Sequence, residues 1–214
     1  TTAGKKGYEL ILPPFMMRRT PYEGVVDLAD FEEMLYKIEN EDLYMIATSE
    51  HPLTARFMNE FLNSKDLPIK NIGYSTNFRK EAGAHGKDTK GIFRVHQFNK
   101  VEQIVICKPK DSWKYHEELI KNLESFFKLL KIPFRTVSIC SGDLGTVAAK
   151  KYDLEAWMPV QQQYKEMGSC SNCTDYQARR LNIKYIESSS NEREVVHTLN
   201  STLVTDRALV AIIE

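Results

Sequence analysis

The chain has 214 residues, 42% of them hydrophobic and 27% charged, with 29 basic side chains balanced by 29 acidic ones. That composition suits a soluble globular protein with one large core or two small ones, and zero net charge does not indicate a broad nucleic-acid footprint, any basic excess being local to residues 79–100. Apolar runs such as residues 208–213 fall far short of a membrane span, and Cys107, Cys140, Cys170 and Cys173 are too sparse for a disulfide scaffold, so a reducing, cytoplasmic setting without signal peptide or anchor is expected.

In chain order, residues 7–12 run into Pro13 and Pro14, which reads as a strand closed by prolines, because Pro13 fixes its own φ and holds Leu12 extended. Residues 27–34 read as a short helix, and residues 35–38 and 43–46 as strands flanking a polar turn. Thr48-Ser49-Glu50 then leaves the sheet. Pro52 opens a helix through about residue 62, with Leu53, Phe57, Met58 and Phe61 on one face. Taken alone, Thr48 is a cap for that helix.

Residues 73–81 and 93–102 read as two strands joined by a long polar loop at 82–91 with three glycines, too long and too charged for a simple hairpin turn. Period two puts Arg94, His96, Phe98, Lys100 and Glu102 on one face of the second strand and Phe93, Val95, Gln97 and Val101 on the other. Residues 111–130 form the most regular amphipathic helix, with Trp113, Leu119, Ile120, Leu123, Phe126, Phe127 and Leu130 near a 3.6 period. Pro133 ends it. Strands follow at 134–140, 152–158 and 164–169, a helical turn at 175–181, strands at 183–186 and 195–199, and a last helix from Thr205 or Asp206. Strands outnumber helices and are joined mostly by turns, so the expected class is α+β, one domain over residues 1–214, with an antiparallel sheet flanked by helices.

Phe78-Arg79-Lys80-Glu81, the basic loop, and Phe93-Arg94-Val95-His96-Gln97-Phe98-Asn99-Lys100-Val101-Glu102 resemble motif 2 of the class II aminoacyl-tRNA synthetases, in the form used by seryl-tRNA synthetases. Thr48-Ser49-Glu50 is similar to that family's Thr-x-Glu serine loop, residues 166–180 to its Glu-x-x-Ser-Cys-Ser-Asn-Cys segment, and residues 200–214 to its motif 3. The resemblance implies the class II antiparallel sheet and the activation of serine by ATP, with Mg²⁺, followed by transfer to tRNA(Ser). Neither the long helix that precedes the first strand in the family nor the tRNA-binding coiled-coil arm is recognised, so a trimmed catalytic core is expected. The full-length family is homodimeric, and tRNA would meet this chain weakly, through its acceptor end.

By the same resemblance Arg79 contacts the α-phosphate through its planar fork, which Lys cannot copy. Lys80, Glu81, Arg94, Val95, Phe98, Glu166, Met167, Gly168, Ser169 and Arg207 complete the ATP set. Phe98 stacks on adenine, and Glu166 and Ser169 hold the metal with hard oxygen donors. Thr48, Ser49, Glu50, Arg79, Glu102, Asn200 and Thr202 hold serine. Glu102 lies roughly 13 Å beyond Phe98 along one strand face. Arg79 and Arg207 are the catalytic cations. Without the resemblance, Phe98 reads equally as core, Glu102 as an edge charge, and Cys170-x-x-Cys173 as half of a zinc site lacking two ligands. Four residues separate Thr202 from Arg207 where the family has five. A loss inside the helix would turn Arg207 by about 100°; a loss in the lead-in would be absorbed. Two rival functions share this pattern: a non-catalytic relative and an amino-acid:carrier-protein ligase.

Overall fold

The structure is a computed structural model that describes residues 6–81, 93–188 and 190–213. The chain begins with β1 (Glu9–Ile11), β2 (Met16–Met17), α1 (Arg19–Val25) and α2 (Leu28–Phe31), then β3 (Tyr44–Met45), α3 (Glu50–Ala55) and β4 (Phe61–Asn63). The central pair β5 (Ile69–Phe78) and β6 (Gln97–Cys107) is followed by α4 (Ser112–Leu130), β7 (Phe134–Ser138), β8 (Lys150–Met158) and β9 (Gln163–Asn172). The last elements are α5 (Tyr176–Arg180), β10 (Lys184–Ile186), β11 (Arg193–Val195), β12 (His197–Thr205) and α6 (Arg207–Ile213). Seven strands form one sheet in the order β1-β5-β6-β12-β9-β8-β7, antiparallel except for the β1–β5 pair at one edge. Among the described residues no helix is long and apolar enough to cross a membrane.

The two faces of this sheet carry two cores. On one, α4 lays Leu119, Leu123 and Phe127, spaced by four, against Val105, Leu154 and Leu199. Each such side chain contributes about 1.5–3 kcal/mol on full burial. The helix ends where Lys131 adopts a left-handed φ of 58°, a common way of closing a last turn. On the other face, Tyr22, Leu35, Tyr44, Ile46 and Leu181 gather around Ile106. Period two along β6 sends Val105 and Cys107 to the first core and Ile106 to the second, so Phe98, Lys100 and Glu102 open on the second side.

Several sequence expectations are corrected. The helix at Pro52 stops at Ala55, and Phe61 lies on β4, 44% exposed; the chain reverses at Asn59, whose φ is 64° and whose N–H bonds Leu181 O. Regular pairing of the second central strand starts at Gln97 opposite Phe78, which leaves Arg94 and His96 on the approach to the strand, outside its pleat. Residues 35–38 form no ladder beyond a bridge from Lys37 to Tyr44. Trp113 is half exposed, because α4 buries Tyr115 and His116 on the flank where it was expected. The strand expected at 195–199 is the start of β12, which continues to Thr205 and so carries Asn200, Ser201 and Thr202 inside the sheet.

Candidate functional site

Arg79 follows β5 directly. Its backbone N–H bonds His96 O at 3.0 Å, while its Nε and Nη2 both donate to Ala47 O, at 3.3 and 3.2 Å, and its guanidinium lies 5.1 Å from the Phe98 ring centre. The fork is thus fixed by the residue before Thr48. The Thr48–Glu50 segment is held against the sheet by Gly73, since a Cβ there would lie 2.5 Å from Ser49 Oγ and 2.6 Å from Leu53 Cδ1. On β12, Thr202 sits opposite Glu102 and donates to its Oε2 at 3.3 Å. A Cβ on Gly168 would lie 2.8 Å from Thr202 Cβ, so β9 can approach that side chain only with glycine there.

The β12 ladder shifts register between Thr202 and Val204, with Leu203 as the extra residue. Arg207, the first residue of α6, still turns inward: its Nε donates to Phe93 O at 3.2 Å, its Nη1 to Glu166 O at 3.3 Å, and its guanidinium lies 4.7 Å from the Phe93 ring centre. Burial lowers its pKa from the ordinary value. Arg94 pairs with Glu81 across the mouth.

These residues line two cavities. The first, of about 130 Å³, is walled by Glu81, Phe93, Arg94, Val95 and Phe98 on one side and by Glu166, Met167, Gly168, Thr202 and Arg207 on the other. The second, of about 400 Å³, is walled by Thr48, Glu50, His51, Glu102, Cys173 and Asn200, with residues 144–148 along its rim. Arg79, Lys100 and Ser169 line both. The second cavity carries buried charge. Lys100 Nζ lies 2.7 Å from Glu102 Oε2, their side chains 8% and 2% exposed. Burial first, and Glu102 second, push the Glu50 carboxyl up to about 7, although Gln177 Nε2 donates to its Oε1 at 2.8 Å. His51, bonded to Tyr22 OH at 2.9 Å, is driven well below its usual pKa by burial and is neutral. Asp153, opposite Ser169 on β8, is raised to about 6 by burial and by Glu166.

An arginine-bearing, aromatic-walled cavity therefore adjoins one with buried carboxylates, and two cations stand at the join. Residues 33–214 match the tRNA synthetase class II core domain (G, H, P, S and T). The chain belongs to that family. It is 60% identical over 212 residues to the serine–tRNA ligase of Archaeoglobus fulgidus, a match that covers 98% of this chain and 47% of the relative. The crystal structure of seryl-tRNA synthetase from Pyrococcus horikoshii complexed with ATP superposes with a TM-score of 0.93 at 54% identity, over 98% of this chain and 47% of that one. Cytoplasmic serine–tRNA ligase from Naegleria fowleri in complex with AMP gives 0.88 at 50%, over 98% and 50%. The chain spans about half the length of the curated relatives it matches.

Within this class II core the structure brings together most of the residues singled out in the sequence. Thr48, Glu50, Arg79, Glu102 and Asn200 line the second cavity, and Arg79, Glu81, Arg94, Val95, Phe98, Glu166 to Ser169, Thr202 and Arg207 the first. Thr202 therefore reaches Glu102 from the first cavity, not from beside Thr48. Thr48 is not the helix cap read from the sequence: Ser49 holds the N-cap position without a side-chain bond, and Thr48 Oγ1 accepts from Glu50 N at 3.2 Å. Two expected residues line neither cavity: Ser49 is fully buried against Gly73, and Lys80 is exposed, with its backbone N–H on Met34 O. The loop at 82–91, read from the sequence as too long and too charged for a simple hairpin turn, lies outside the described residues. Cys170 and Cys173 part company: Cys170 Sγ approaches His116 O in the first core, and Cys173 Sγ faces Asn200 Nδ2 at the second cavity. The sequence reading gave no role to Lys100, His51, Cys173 or residues 144–148. Lys100 was legible on the row of β6; the rim at 144–148 fell between the strands expected at 134–140 and 152–158 and carried no expectation of a site.

Proposed function

We propose that this chain is the catalytic core of a serine–tRNA ligase, which joins serine to ATP as seryl-adenylate, releases pyrophosphate and passes the seryl group to the terminal ribose of tRNA(Ser). The observation that carries this reading is the join: Arg79, its fork locked on Ala47 O and stacked over Phe98, is the common wall of both cavities. A carboxylate in the second cavity and an α-phosphate in the first would both lie against it. Positioning of that kind supplies much of the rate of such a step.

In this reading Phe98 stacks on adenine and Glu81 accepts from its amino group, while Arg94 and Arg207 take the outer phosphates. Glu102, hydrogen-bonded by Thr202, holds the serine ammonium and hydroxyl with Thr48, Glu50 and Asn200. For Mg²⁺ the fit rests on Glu166, with an exposed carboxylate, and Ser169, which both line the first cavity and would supply hard oxygen donors; Asp153, opposite Ser169, is taken up by Lys151, whose Nζ lies 3.2 Å from its Oδ1. Bound there, Mg²⁺ would offset charge on the phosphates. The acceptor end of tRNA, a dimer in the full-length protein and a cytoplasmic location belong to the same reading, as does treating residues 1–214 as one domain, since both cores share one sheet.

Pyrophosphate exchange into ATP tests it. Serine should support exchange while alanine, threonine, glycine and proline do not; exchange driven by one of those four in place of serine contradicts the substrate assignment.

A further inference from the structure

Lys100 is the buried charge for which the reading above has no use. It precedes Glu102 by two residues on the same face of β6, its side chain is 8% exposed, and it lines both cavities. Among the described residues its ammonium meets one partner, Glu102 Oε2 at 2.7 Å, although an ammonium carries three donors. Stability does not account for such a pair: desolvating both charges costs about what their attraction returns, and a packed apolar pair would serve as well. Nor does Lys100 duplicate Arg79. The guanidinium is pinned by two hydrogen bonds to Ala47 O, whereas Lys100 is a point charge on a four-carbon stem that can swing.

The charges around it suggest what moves it. The second cavity holds Glu50, Glu102 and Asp27 against Arg79, Lys100 and Lys151. An incoming amino acid brings its own ammonium, which competes with Lys100 for Glu102. We propose that Lys100 is a further catalytic residue of the activation step: its ammonium occupies Glu102 until the substrate ammonium takes that carboxylate, and then turns to the phosphate under attack. The inference rests on the reading that this core joins serine to ATP. In that step a serine carboxylate oxygen forms a bond to the α-phosphorus while the bond from that phosphorus to the bridging oxygen breaks, and pyrophosphate leaves with the electron pair. Lys100 gives up no proton. Its charge offsets the negative charge on the non-bridging oxygens, and it arrives only when the amino acid is in place.

Lys100→Met should lower kcat for serine-dependent exchange about a hundredfold, the typical loss when one transition-state cation or donor is removed. The KM for serine should stay equal or fall, because a competitor for Glu102 has gone. Lys100→Arg should recover part of kcat. Unchanged kcat, or a raised KM with kcat retained, overturns the proposal and leaves Lys100 as a mere partner of Glu102. If removing the cation unfolds the protein, calorimetry on the unaltered chain decides. Serinol carries the ammonium and hydroxyl of serine but no carboxylate, and its presence should tighten ATP binding by freeing Lys100. Serinol that does not bind, or that binds and leaves the ATP affinity unchanged, overturns the proposal. An unaltered chain with no exchange for serine counts against the function, whereas normal exchange with an indifferent Lys100 variant counts against this inference alone.

Discussion

The two cavities are built on different physical terms. The first sets cations over aromatic rings, Arg79 on Phe98 and Arg207 on Phe93, with Arg94 on Glu81 at its mouth. Flat rings and planar forks recognise a base and phosphates with little demand on burial. The second sets carboxylates where water is scarce, Glu102 at 2% exposure and Glu50 shifted to about 7. Buried polar groups discriminate by what they leave unpaired when the wrong molecule enters. Damage to the first cavity should therefore appear as lost rate, and damage to the second as lost selection or altered stability.

Arg79, which belongs to both, should give the largest effect. Arg79→Lys is expected to lower pyrophosphate exchange by about two to three orders of magnitude with the fold retained by circular dichroism, since one ammonium cannot reproduce the fork on Ala47 O. Exchange near the unaltered rate in a folded variant would break the idea of a common wall.

The second cavity predicts a pH effect of definite sign. The folded pKa of Glu50, about 7, lies above its ordinary value of 4.5, so folding favours its protonated form. That contribution is full below 4.5 and is lost as pH rises to 7, and Asp153, raised to about 6, adds in the same direction. Glu50→Gln should flatten the fall in unfolding free energy, and with it in Tm, between pH 5 and pH 8, the free-energy difference being less than about 3 kcal/mol at the upper end. An identical Tm profile in both proteins would contradict the account of Glu50.

Gly73→Ala sharpens the comparison from behind. Its Cβ would strike Ser49 Oγ and Leu53, which cannot retreat from a buried position, so stability should fall by about 1–3 kcal/mol and the serine KM should rise, while the KM for ATP holds. Equal losses in both KM values would mean that the Thr48–Glu50 segment does not belong to one cavity alone.

The smallest effect separates two neighbours. Thr202 reaches Glu102 Oε2, while Ser201, fully buried, faces the opposite side of β12 beside Cys170. Thr202→Val should narrow the preference for serine over alanine by about tenfold, and Ser201→Ala should leave it unchanged. The reverse pattern would put the wrong hydroxyl in the site.

What the sequence revealed follows the same division. The first cavity draws most of its wall from stretches near 79–81, 93–100 and 166–169, each contiguous in sequence and so open to motif reading. The antiparallel sheet and the long helix α4 were likewise legible from local pattern. The second cavity collects short pieces near residues 25, 50, 102, 147, 173 and 200, and no local pattern announces that the segment between two strands will form the rim of a site. The placement of Arg207 shows the limit from another side. Spacing alone left two positions open for its side chain; in the structure it turns inward onto Phe93 O and Glu166 O. The helix expected to reach residue 62 misled because Phe57 and Phe61 keep a helical spacing across a reversal that the left-handed Asn59 makes.

The central claim is that the two cavities act as one site joined at Arg79, and a non-hydrolysable seryl-adenylate analogue, a seryl-sulfamoyl adenosine, tests it most directly. Titrated calorimetrically against the unaltered chain, it should bind about a hundredfold or more tighter than AMP or serine alone, because the second half binds at the effective concentration set by the first. An affinity no better than that of AMP would contradict the account.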